Sequence, residues 1–95
     1  MAAVSYHKTA QLPADQERPL FEIANEIRHT WAHVSPAAEP YLHALRYLSS
    51  VNEYYGLDSA TEIIDRFLAN ATGWRGEDAR RIKAELRSLT KDRRW

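Results

Sequence analysis

The chain has 95 residues, 44% hydrophobic and 27% charged, which suits one small domain with a modest core. It contains no cysteine, and that excludes disulfide scaffolds, thiolate metal sites, iron–sulfur clusters and thiol catalysis. Thirteen Lys/Arg balance thirteen Asp/Glu, so bulk charge does not mark a polyanion-binding protein, and no apolar run approaches the ~18 residues of a membrane span.

Residues 1–18 carry no clear period and place Pro13 and Pro19 around the polar run Ala14 to Arg18. They read as a flexible N-terminal arm. Met1 to Leu12 lacks the apolar segment of a secretory signal, and a cytoplasmic location in a bacterial host is expected. Residues 19–95 read as a single helical domain. Pro19 opens a helix predicted over 19–33, because proline fits a first turn that needs no N–H. Leu20, Ala24, Ile27, Trp31 and Val34 recur at 4-3-4-3 spacing with Ile23 beside them, while Glu22, Glu26, His29 and His33 fall opposite.

Ser35-Pro36 breaks that helix, and Pro40 lies in the first turn of a second, predicted over 38–54. Its stripe is Tyr41, Ala44, Leu45, Leu48, Val51 and Tyr55, and Gly56 is expected to end it as a left-handed cap. Ser59-Ala60-Thr61-Glu62 has the form of a capping box and opens a third helix over 59–72, with Gly73 at its end. Its stripe, Ala60, Ile63, Ile64, Phe67, Leu68 and Ala71, is the clearest in the chain. Gly76 suits an N-cap, and Glu77 and Asp78 suit the positive end of a fourth helix over 77–92, which buries Ala79, Ile82, Leu86 and Leu89. No segment alternates with strand period, and no hairpin signal is seen. The expected fold is all-α, a small bundle of three to four helices with a flexible N-terminal arm.

The run Phe67-Leu68-Ala69-Asn70-Ala71-Thr72-Gly73-Trp74-Arg75-Gly76, followed by Ala79-Arg80-Arg81-Ile82-Lys83-Ala84-Glu85-Leu86, resembles a family of uncharacterised small helical proteins of phages, prophages and integrative elements of Gram-positive bacteria. Pro40-Tyr41-Leu42 and the run from Asn52 to Ala60 also match, so the resemblance extends from about Phe21 to Leu89. It implies a mobile-element origin and a helical fold, and it brings no catalytic residues.

Catalytic constellations are weak. His29 and His33 lie one turn apart, and Glu26-Ile27-Arg28-His29 has the spacing of a di-iron helix. No second such motif exists, and Thr30 stands where a zinc protease needs glutamate. Glycines at 56, 73 and 76 match no phosphate or dinucleotide loop, and no serine sits in a nucleophile elbow. A non-enzymatic protein without metal or cofactor is expected. His43, near the apolar face of the second helix, reads as packed or half-exposed.

Charge distribution is more informative. From Arg75 to Trp95 there are eight Lys/Arg against four Asp/Glu, a net of +4, and the rest of the chain carries −4. At 100° per residue Arg80, Lys83, Arg87, Lys91 and Arg94 share one face, with the acids Glu77, Asp78, Glu85 and Asp92 on another. Such a row fits an acidic protein partner or a phosphate backbone. The third and fourth helices with Gly73 to Gly76 between them have the length of a helix-turn-helix.

Among the aromatics, Trp31, Tyr41 and Phe67 read as core, and Trp74 as cover for the corner between the last two helices. Tyr54-Tyr55 should divide, one packed and one exposed. Trp95 beside Arg93-Arg94, and Tyr54, are hot-spot residue types. The partner-binding candidates are therefore Arg80, Lys83, Arg87, Lys91, Arg94, Trp95 and Tyr54. The expected function is that of a phage or mobile-element interaction protein that binds a host or phage protein. DNA binding through the basic helix is the alternative, and homodimerisation is compatible with the small core.

Overall fold

The structure is a computed structural model that describes residues 17–91. Most of the predicted arm, residues 1–16, and the last four residues, including Arg94 and Trp95, lie outside the described residues. Within them the chain forms α1 (Leu20–Thr30), α2 (Glu39–Leu45), β1 (Tyr54–Tyr55), β2 (Asp58–Ser59), α3 (Ala60–Ala69) and α4 (Glu77–Lys91).

Helix α1 begins after Pro19, which caps it in extended conformation without a side-chain hydrogen bond. Two of its free N–H groups find acceptors far along the chain. Leu20 donates to the Ser49 carbonyl at 3.0 Å and Phe21 to the Leu48 carbonyl at 2.9 Å. The helix stops at Thr30, short of the predicted 33. The Thr30 hydroxyl donates back to the Glu26 carbonyl at 2.9 Å, and Trp31 turns extended, which directs its indole inward.

The expectation of a single helix over 38–54 is corrected. Helix α2 ends at Leu45, and the carbonyls of Leu48 and Ser49, which a continuing helix would use, accept from α1 instead. Serine and asparagine hydrogen-bond their own backbone and so weaken a helix here. The Ser50 hydroxyl accepts from the Asn52 N–H, and the Glu53 carboxylate accepts from the Ser49 N–H at 2.8 Å.

Beyond Glu53 the chain folds into a hairpin, so the fold is mostly helical and not purely α. Strands β1 and β2 are antiparallel, with Tyr54 opposite Ser59 and Tyr55 opposite Asp58. Gly56 has φ +66 and begins the two-residue turn, while Leu57 keeps a negative φ. That combination matches a type II′ hairpin turn, which needs glycine first. Gly56 is thus a hairpin glycine, not a helix cap.

Ser59 ends the hairpin and caps α3 through the predicted capping box. Its hydroxyl accepts from the Glu62 N–H at 3.1 Å, and the Glu62 carboxylate accepts from the Ser59 N–H at 3.2 Å. The helix ends at Ala69 with Asn70 as its cap, three residues before Gly73. Residues 70–76 then separate α3 from α4, longer than the turn of a helix-turn-helix. Gly76, with φ +110, stands directly before α4, and its carbonyl accepts the Arg80 N–H at 3.0 Å.

All four described helices contribute to one core. Leu20, Ile23 and Ile27 meet Leu42 and Leu45, then Ile63, Ile64 and Phe67, then Ile82 and Leu86, each no more than 2% exposed. Leu48 and Val51 are buried as well, although neither is helical. Trp31 stacks on Trp74 with ring centroids 5.3 Å apart, and both meet Phe67 edge-on. No helix among the described residues is long and apolar enough to cross a membrane.

Candidate interaction surface on the last helix

Helix α4 buries Ala79, Ile82, Leu86 and Thr90, which leaves two flanks on either side of that face. One flank meets α1 through a closed ionic network. Arg81 donates to Glu26 at 2.6 Å and to Asp78 at 3.1 Å. Arg18, just before α1, grips Glu85 with two hydrogen bonds of 3.0 and 2.7 Å and also reaches Glu26 at 2.9 Å. The Glu26 carboxyl is held below its ordinary value, first by the hydrogen bond from Arg81 and then by Arg18. Arg18 and Arg81 are pushed upward by the same bonds, led by Glu85 for Arg18 and Glu26 for Arg81.

The other flank carries Arg80, Lys83, Arg87 and Lys91, with Arg75 beside them in the connection from α3. Arg75, Arg80, Arg87 and Lys91 are exposed. Among the described residues none of the five forms an ion pair with a carboxylate. Lys83 is the exception in posture. Its ammonium donates to the Trp74 carbonyl at 2.7 Å and lies 5.8 Å from the centroid of the Trp74 ring. Burial is the main cause that lowers its pKa, and the positive charges of Arg87 and Arg75 lower it further. Arg87 and Arg75 therefore both lie close enough to repel Lys83, and no ion pair among the described residues relieves it.

Of the candidates read from sequence, Arg80, Lys83, Arg87 and Lys91 are brought together on this flank. Tyr54 is on the hairpin, a different element, and 66% of it is exposed. Arg94 and Trp95 lie outside the described residues. Arg75 is not among the sequence candidates, although its position after Trp74, the cover of the α3–α4 corner, is the signal that places it here. Trp74 does cover that corner and is buried.

A second surface is legible in the sequence only through Tyr54. Both Tyr54 and Tyr55 are exposed, and Leu57 at the hairpin tip is 97% exposed. Tyr55 stacks on exposed Tyr47 at 5.9 Å, and Tyr47 meets His43 edge-on at 5.3 Å. His43 is exposed, neither packed nor half-buried. The signal is Tyr-Tyr-Gly-Leu, which puts glycine first in a two-residue turn.

The chelating arrangement that the spacing of His29 and His33 would permit does not form. Helix α1 ends between them, and the His29 Nδ1 is engaged with the Asn25 carbonyl at 2.8 Å. Among the described residues no group of three or more His, Asp or Glu is arranged to hold a metal ion. No family model matches this chain, and neither a curated protein nor a solved structure is similar to it.

Proposed function

We propose that this chain is a small non-enzymatic binding protein of phage or mobile-element origin, which acts by seating an acidic protein surface against the open flank of α4. The supporting observation is the contrast in pairing on that helix. Arg81 is saturated with carboxylates, whereas Arg75, Arg80, Arg87 and Lys91 have none among the described residues. Cations left unmatched on a rigid helix can meet a complementary surface without first breaking internal pairs.

A protein suits the flank better than a nucleic acid for two reasons. The Lys83 ammonium is committed to the Trp74 carbonyl, and the chain as a whole is neutral. Duplex binding draws on many phosphate contacts and a broad positive field. The test is capture from a nuclease-treated bacterial lysate by the wild-type chain and by an Arg80→Glu/Arg87→Glu variant, with a labelled duplex titrated in parallel. A polypeptide held by the wild type, released by salt and lost with the variant is expected. Duplex binding with a log–log salt slope near about −3.6, equivalent to four phosphates, would replace the protein partner by DNA.

A further inference from the structure

The hairpin end has the chemistry that the open flank of α4 lacks. Leu57 is 97% exposed, Tyr54 66% and Tyr47 62%, an unusual concentration of outward apolar and aromatic surface on a small protein. Residues 46–66 carry four acids against Arg46 and Arg66, and Arg66 pairs with Asp58 at 3.6 Å. Two of the acids, Glu53 and Glu62, are exposed beside the hairpin. Within one copy no ion pair joins Glu53 or Glu62 to Arg80, Arg87 or Lys91. The two surfaces belong to different elements, the hairpin and α4, and neither satisfies the other internally.

We infer that the acidic surface accepted by the open flank is the hairpin end of a second copy of this chain. This rests on the reading of the flank as a site for acidic protein surfaces. Tyr54 and Tyr47 offer ring faces on which the Arg80 and Arg87 guanidinium groups stack, and Leu57 inserts beside them. Glu53 and Glu62 meet the surrounding cations. The contact is heterologous, because different patches face each other. Each added copy leaves a free hairpin at one end and a free basic flank at the other, so association grows with concentration instead of stopping at two. Zero net charge with the signs segregated favours this, since no long-range repulsion holds copies apart. The ionic part weakens as salt rises.

Sedimentation velocity of the full chain across a concentration series tests the inference. One variant removes the hairpin contact (Tyr54→Ser/Leu57→Ser) and another the flank (Arg80→Glu/Arg87→Glu). All four positions are exposed, and circular dichroism verifies that both variants fold. The wild type is expected to gain mass with concentration and to lose that gain in high salt. Each variant alone should remain at the monomer mass of 11.0 kDa. An equal mixture of the two should form a complex of two chains and stop, because one intact hairpin meets one intact flank. A wild type that stays monomeric overturns the inference, and so does a mixture that stays monomeric or a hairpin variant that still associates. If the wild type stays monomeric while the flank variant loses a captured polypeptide, the flank reading stands and only self-association falls. If charge reversal on the flank changes neither capture nor mass, both fall.

Discussion

Helix α4 presents two flanks built from the same residue types with opposite outcomes. Toward α1, Arg81 and Glu85 are locked into a network with Arg18, Glu26 and Asp78. Toward the α3–α4 connection, Arg80, Arg87 and Lys91 have no ion pair among the described residues, and Lys83 is drawn onto Trp74. The difference lies in the neighbours. Helix α1 brings Glu26 across to the first flank, whereas the second borders a segment that supplies Trp74 and one more cation, Arg75. A charged helix face is therefore ambiguous until its neighbour is known. The first flank uses its charges to join elements of the fold, whereas among the described residues the second has no ion pair that does so.

Both flanks depend on the shared core. Ile64→Asp places a charge where the native side chain is fully buried, and it should cost about 5 kcal/mol or more, comparable to the whole stability of a small domain. Denaturant titration would show it, and both flanks would fail together. Trp74→Ala should cost about 3–5 kcal/mol through the lost stack on Trp31 and the cavity left behind. It also removes the ring beneath Lys83, so it should disturb the open flank more than the paired one.

Glu26→Gln probes the paired flank alone. The Glu26 pKa is lowered in the folded state, so its contribution is present above the ordinary value of 4.5 and is lost as pH falls through the lower folded value. These groups are partly exposed and screened, so the expected loss at neutral pH is about 0.5–1 kcal/mol. Melting curves should show the wild type losing stability more steeply than the variant below pH 4.5. Arg87→Glu should have the smallest effect on stability, within about 0.5 kcal/mol, because Arg87 is exposed and forms no ion pair among the described residues. Its signature is electrostatic. The Lys83 ammonium should titrate higher, as followed by NMR, once a repelling neighbour becomes an attracting one.

Hydrophobic spacing reports burial better than backbone. Leu48 and Val51 belong to an apolar stripe and are buried, yet the helix expected to carry them stops at Leu45. Periodicity reports which side chains leave water. It does not report that the Ser50 hydroxyl and the Glu53 carboxylate take the N–H groups of Asn52 and Ser49, or that α1 claims the carbonyls of Leu48 and Ser49. The hairpin is hidden for a related reason. Each strand has two residues, too few to alternate, and Gly56 is equally legible as a helix cap. The Ser59 capping box is legible because both partners lie within four residues. On α4 the basic face is visible from angular arithmetic alone, but which cations are matched depends on residues such as Glu26, 55 positions away from Arg81.

The hydrogen bonds from Leu20 and Phe21 to the carbonyls of Ser49 and Leu48 carry a consequence for how the chain acquires its structure. The first turn of α1 is completed by a loop some thirty residues downstream, so its end is not a local property. A peptide spanning α1 alone has eleven helical positions and no side-chain cap, too little to hold a helix in water. During synthesis α1 must wait for the chain beyond α2. When that loop closes, it fixes the start of the first helix and the root of the hairpin in one event. A cut between α2 and β1 should accordingly melt both together instead of releasing one.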